Sequence, residues 1–155
     1  MTYPTRRTPK RGRRAPAVAA VDVVLAAALA GVVSGAPSTL HALVTGRSPL
    51  TAVRAAATLA PTGVRQAGGG ELVAGLALHA GLSLAWATVL AVVLPRRHTV
   101  LWGAAAGAGI AALDLGIVGR RNRAIAELPL AGQVADHVAF GATVGFALAR
   151  ARRRG

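Results

Sequence analysis

The chain has 155 residues, of which 54% are hydrophobic, 3% are aromatic and 15% are charged, and its formal net charge at pH 7 is +13. It contains no cysteine, which excludes disulfides, thiolate zinc sites, iron–sulfur clusters and cysteine nucleophiles. Long segments that are nearly free of charge exclude an ordinary soluble domain and indicate a small membrane protein.

The two ends of the chain are polar and basic. Residues 1–14 carry too little apolar surface to offset the entropy lost on ordering, so this segment is predicted to be a disordered cytoplasmic tail. Residues 150–155 are predicted to form a basic C-terminal tail.

Apolar runs between these tails predict a single transmembrane domain over residues 15–149. Each run has about 20 residues, the length of helix that crosses about 30 Å of hydrocarbon at 1.5 Å per residue. The first helix is expected to extend to Val44 if Pro37 only kinks it. The fold class is therefore predicted to be all-α, a polytopic membrane protein built as a four-helix transmembrane bundle. The predicted spans are about residues 17–36, 72–94, 99–118 and 129–149.

The loop between the first two spans contains a further predicted helix. Ser48 followed by Pro49 is typical of an N-cap and the first helical position, and Pro61 ends the segment. The apolar residues recur at helical spacing, which predicts a short amphipathic helix. It lies either on the membrane surface or across the mouth of the bundle. The residues on its apolar face are Leu50, Val53, Ala57 and Ala60.

Small residues recur four positions apart in all the predicted spans. This spacing lets helix backbones approach closely and predicts tight packing, but the abundance of Ala and Gly makes it a poor indicator of dimerisation. The pairs are Gly31 with Gly35, Ala77 with Gly81, Gly103 with Gly107, and Gly141 with Gly145.

The basic residues predict the orientation and the surface partner. Twelve Lys and Arg residues fall on the side that holds both termini and the turn at residues 95–98, against six on the side of the longer loops. The positive-inside rule then predicts a cell (inner) membrane protein of a bacterium with both termini in the cytoplasm. Because these residues flank apolar runs without interleaved aromatics, anionic lipid headgroups are the expected partner and nucleic acid is not.

Ionisable groups within apolar spans cost at least about 2.5 kcal/mol each, which makes them functional candidates. Most of those in this chain fall within about 6–12 Å of the membrane boundary on the loop side. Ser83 lies one turn beyond His79 on the same face, and His41 joins this layer if the first helix continues past Pro37. The candidate site residues are His79, Ser83, Asp114, Gln133, Asp136, His137 and His41.

Three interpretations of this layer stay open at the level of the sequence. Histidine titrates near neutrality, so a buried His/Asp layer could handle protons or another cation. Two His and two Asp could bind a divalent metal such as zinc, although no established ligand spacing is present and no cofactor is predicted. Alternatively, each residue makes one interhelical hydrogen bond, and Asp114 pairs with Arg120 or Arg121.

Two function hypotheses follow. The first is a membrane protein that handles protons or a cation, and the second is a non-catalytic structural or assembly subunit of a larger membrane complex. The chain lacks a phosphate-binding glycine loop and a GxSxG motif, so it is not expected to be an enzyme. Because four helices of this size enclose little volume, transport is expected to need a homo-oligomer or a larger partner.

Overall fold

The computed structural model describes residues 18–63 and 70–154, which are mostly helical and contain no strand. The predicted all-α class is therefore confirmed for this part of the chain, while the predicted N-terminal tail, residues 1–14, lies outside it. The described helices are α1 (Ala20–Ser34), α2 (Ala36–Val44), α3 (Thr51–Ala57), α4 (Gly70–Val93), α5 (Thr99–Leu113), α6 (Arg123–Ala126) and α7 (Leu130–Arg154).

Three helical segments are long and apolar enough to cross a membrane: Ala20–Val44, Gly70–Val93 and Thr99–Gly119. The fourth predicted span corresponds to α7, which is not among them. Its first half carries the polar residues Gln133, Asp136 and His137, which lower its mean hydropathy.

The first apolar segment is broken between α1 and α2. Pro37 has no N–H and its ring crowds the carbonyl four residues earlier, so α1 ends at Ser34 and α2 begins at Ala36 with Pro37 in its first turn. The helical chain nevertheless continues past Pro37 to Val44. Such a break leaves backbone donors and acceptors without partners inside either helix.

The apolar residues of α4 and α5 are spread over all faces of each helix, as in helices that are buried or lie in lipid. A tight turn connects them, in which His98 adopts a left-handed conformation with φ 53°. At its far end α5 widens into a π-helical turn, Asp114–Gly119. Turns of this kind are rare and concentrate at functional sites, and this one begins at a candidate site residue.

The most extensive helix–helix contact joins α5 to α7. Gly103 and Gly107 of α5 face Gly141 and Gly145 of α7, and a Cβ added at Gly103 would collide with the backbone oxygen of Gly141. Two of the predicted small-residue pairs therefore serve one close crossing within the chain.

The C-terminal end of α7 lies beside the turn between α4 and α5. The guanidinium of Arg152 donates hydrogen bonds to the backbone oxygens of Ala91 at 3.2 Å and Pro95 at 3.3 Å. Because α7 continues to Arg154, the basic residues predicted as a separate tail form its last turns instead. Helix α7 thus runs antiparallel to α5 over the full height of the structure.

The loop helices α3 and α6 meet at the opposite end. The side-chain amide of Asn122, which precedes α6, donates to the hydroxyl oxygen of Thr58 at 2.8 Å. The N-cap position of α3 is occupied by Leu50 rather than by Ser48, whose hydroxyl oxygen instead accepts from the Leu50 N–H at 3.3 Å. A serine two positions earlier can satisfy the same free N–H group through a turn.

Helix α3 packs on the bundle. Ala57 is fully buried, and a Cβ added at Gly75 of α4 would collide with the backbone oxygen of Val53. Of the two predicted placements, this contact favours the one in which α3 packs against the other helices.

Large apolar side chains cover the outer surface of the apolar helices. Val32, Val92 and Leu101 expose 81%, 82% and 69% of their surface. An apolar exterior of this extent suits hydrocarbon rather than water.

Candidate functional site

A cavity of about 310 Å³ lies between α1, α2, α4, α5 and α7, and α3 covers its loop-side end. Among the candidate residues, His41 does not line it; His41 lines a separate pocket of about 50 Å³. The other six all contribute to the larger cavity: His79, Ser83, Asp114, Gln133, Asp136 and His137.

His137 of α7 hydrogen-bonds to two different groups. Its Nδ1 lies 2.7 Å from the backbone oxygen of Gln133, one turn earlier, and its Nε2 lies 3.3 Å from Oδ2 of Asp114. The side chains of His137 and Asp114 expose 22% and 32% of their surface, so both are reachable from the cavity. Asp114 therefore contacts His137 across the α5–α7 interface, and not Arg120 or Arg121.

The partners of His137 determine where its protons lie. The Gln133 carbonyl can only accept, so Nδ1 must carry a hydrogen. The contact between Nε2 and Oδ2 then requires one more proton between them, held as imidazolium with carboxylate or as imidazole with carboxylic acid. In both forms the pair is neutral overall. A proton at this contact would therefore leave the net charge of the pair unchanged on either atom.

Asp136 points away from His137, toward the break in the first apolar segment. Its Oδ1 accepts a hydrogen bond from the backbone N–H of Ser38 at 2.9 Å. Ser38 lies in the first turn of α2, where N–H groups have no helical partner. Successive residues of a helix lie about 100° apart around its axis, so the adjacent residues Asp136 and His137 bond to two different neighbours.

His79 of α4 contacts the other side of the same break. Its Nε2 lies 2.9 Å from the backbone oxygen of Gly31, in the last turn of α1. The hydroxyl of Ser34 also donates to this oxygen, at 3.2 Å. Because a carbonyl only accepts, Nε2 of His79 carries the hydrogen of this bond. The break is thus bonded from α4 on one side and from α7 on the other.

Ser83 is a buried polar side chain of the cavity, with 6% of its surface exposed. Its Oγ lies 3.2 Å from the position that a Cβ on Gly31 would occupy, so the hydroxyl faces α1. Within residues 18–63 and 70–154 this hydroxyl has no hydrogen-bond partner.

Several lining residues were not predicted as part of the site. The backbone oxygen of Gly31 and the hydroxyl of Ser34 belong to the helix break, and Phe140 adds an aromatic wall. Trp86 lies on the same face of α4 as His79 and Ser83, seven positions after His79. This helical spacing could have predicted that Trp86 lines the site.

The described part of the chain contains no group of three or more His, Cys, Asp or Glu residues arranged to hold a metal ion. The neighbours of each candidate explain this, since Asp114 and Asp136 bond to different helices. Comparison with protein-family models, curated proteins and solved structures finds no match for this chain. Its function is therefore inferred from the geometry of the cavity.

Proposed function

We propose that the chain is an integral membrane protein of four transmembrane segments that binds and releases a proton at the His137–Asp114 pair in its cavity. The observation that carries this proposal is the pair of acceptor atoms that face the ring of His137. Both of its ring nitrogens face acceptor atoms, at 2.7 Å and 3.3 Å, so the contact with Asp114 needs a shared proton.

The packing of α7 supports a fourth transmembrane segment. It lies along α5 from the Gly107–His137 contact to the Gly145–Thr99 contact, and its C-terminal end bonds to Pro95 at the far side. If α5 crosses the membrane, its close partner crosses as well. The polar residues of α7 face other helices, which lowers the cost of placing them in lipid.

With four segments, both termini lie on one side. That side carries the larger number of basic residues, so we place it in the cytoplasm of a bacterial cell and place anionic lipid headgroups against its arginines. A homo-oligomer or a larger membrane complex is the setting in which so small a bundle would act.

Infrared difference spectroscopy of the protein in lipid nanodiscs tests the proton site. A protonated carboxyl group has a C=O stretching band that carboxylates lack, and this band shifts in deuterium oxide. We expect a pH-dependent band that Asp114→Asn removes and that Asp22→Asn, outside the cavity, leaves in place. Survival of the band in Asp114→Asn would contradict the proposal, and so would the absence of every pH-dependent carboxyl, carboxylate and imidazole band, because the shared proton must lie on one of these groups.

The second candidate function is a structural or assembly subunit. It is favoured by the bonds of His79 and Asp136, which both go to backbone groups of the helix break. Asp114→Asn separates the two functions, because an asparagine amide can donate to Nε2 of His137 and keep the helix contact without a mobile proton. A structural subunit would retain its role in this variant, whereas a proton-handling protein would lose it.

A further inference from the structure

We propose that the cavity binds a small organic cation, an ammonium group with an apolar substituent, and that Asp136 is its counter-ion. This inference rests on the proposed function, because the ligand would occupy the same membrane cavity as the proton-binding pair.

The charge of the cavity is opposite to that of the chain. The whole sequence has 18 Lys and Arg residues and five Asp and Glu residues. Of the described residues that line the cavity, none is Lys or Arg, whereas Asp114 and Asp136 both line it. The shared proton with His137 neutralises Asp114 as a pair. Asp136 instead bonds to the neutral backbone N–H of Ser38, so its carboxyl group has no charge-neutralising partner of this kind, and a cation in the cavity would itself favour the ionised form.

The walls of the cavity favour an organic ion over a metal ion. Leu76, Leu82 and Ile110 provide apolar surface, and Trp86 and Phe140 provide aromatic rings that attract cations. Calcium needs six to eight oxygen ligands, and transition metals need several N, O or S ligands, and no three such His, Asp or Glu side chains of the described residues are grouped to hold a metal ion. A volume of about 310 Å³ is at the small end of the range of about 300–1,000 Å³ typical of ligand pockets.

Ser83 gives an independent indication that a ligand is missing from the cavity. A hydroxyl with only 6% exposure normally has a hydrogen-bond partner, because leaving it without one is costly. No such partner is present in the described residues, and a serine in a helix could otherwise bond to the carbonyl four residues earlier. A ligand carrying a polar group beside the ammonium would satisfy it.

Trp86 provides a native fluorescence probe. The chain has two Trp residues, and the other, Trp102, lies on the outer surface with 56% exposure, so Trp102→Phe leaves a reporter in the cavity. Titration with 2-hydroxy-2-phenylethylammonium, which carries a phenyl ring, an ammonium group and a hydroxyl beside it, should change Trp86 fluorescence with saturation. Benzyl alcohol, which has the ring without the charge, should not compete.

Substitutions then identify the residues that bind the cation. Asp136→Asn keeps an oxygen for Ser38 and should weaken binding about tenfold or more, equivalent to about 1.4 kcal/mol. Ser83→Ala should weaken it about two- to tenfold, and Asp22→Asn should leave it unchanged. Equal affinity in Asp136→Asn, or equal competition by benzyl alcohol, would overturn the cation site. If Asp136→Asn does not fold, unchanged affinity in Ser83→Ala overturns it instead. The infrared test contains no cation, so its failure overturns the proton site separately.

Discussion

The backbone N–H of Ser38 donates a hydrogen bond to Oδ1 of Asp136, 98 positions later in the chain and 2.9 Å away. Proline at position 37 makes this bond necessary, because it breaks the helix and leaves the first N–H groups of α2 without acceptors. An acidic side chain at the start of a helix also interacts favourably with the helix dipole. A residue that resembles an isolated buried charge in the sequence is therefore a cap supplied by another helix.

This relationship predicts different results for two substitutions of Asp136. Asp136→Asn keeps an accepting oxygen and should change the free energy of unfolding little. Asp136→Leu leaves the Ser38 N–H without a partner and should destabilise by about 1–3 kcal/mol. Reversible unfolding in mixed micelles measures both, and equal stability of the two variants would show that the cap does not matter.

His79 and Asp136 bond to opposite sides of the same break, so their contributions should be coupled. We expect the double variant His79→Leu with Asp136→Leu to deviate from the sum of the single effects by about 0.5 kcal/mol or more. The same cycle between His79 and the distant Arg152 serves as the control and should be additive. If the effects in the first cycle are additive, His79 and Asp136 stabilise the structure independently and the predicted coupling is wrong.

The crossing of α5 and α7 depends on glycines that face each other. A Cβ at Gly141 would collide with the backbone oxygen of Gly103, so Gly141→Ala should cost about 1–3 kcal/mol. Gly109 on α5 has no atom within 4 Å of its Cβ position, and Gly109→Ala should be neutral or stabilising by up to about 1 kcal/mol. Thermal unfolding in detergent compares them, and the reverse order would exclude this crossing.

Arg152 should stabilise the end of the structure opposite the loops. Its hydrogen bonds to Ala91 and Pro95 satisfy carbonyls at the end of α4. Burial, and then the neighbouring charge of Arg96, lower the pKa of Arg152, which limits the net gain. Arg152→Ala should therefore cost about 1 kcal/mol, whereas Arg153→Ala, at an exposed position, should have little effect. Equal losses would point to net charge rather than to these bonds.

The depth of the polar residues could be predicted from the sequence, because helix rise converts position into height. His79, Asp114 and His137 line one cavity for this reason. Their bonding partners could not be predicted in the same way. The contact between Asp114 and His137 depends on the rotation of two helices, and no pattern in the sequence predicts the π-helical turn at Asp114.

The backbone groups that contribute to the site could not be predicted from the sequence. Gly31 and Ser38 contribute a backbone carbonyl and a backbone N–H that bond to side chains of other helices, and neither is visible in a pattern of side chains. Pro37 indicated where the helix could break, but the groups that would satisfy the break are on distant helices. His41 is a residue that the sequence placed in the site and the structure does not. Its position in the chain matches the depth of the other polar residues, but its side chain lines a different pocket.

The protonation of the two ring nitrogens of His137 tests the central claim most directly. Nitrogen-15 solid-state NMR in lipid bilayers reports it, with His137→Gln used to identify the signals. We expect Nδ1 to stay protonated across the titration, while Nε2 gains and loses its proton and does so differently in Asp114→Asn. An unprotonated Nδ1, or an Nε2 signal that is the same with and without the Asp114 carboxylate, would contradict a proton shared by this pair.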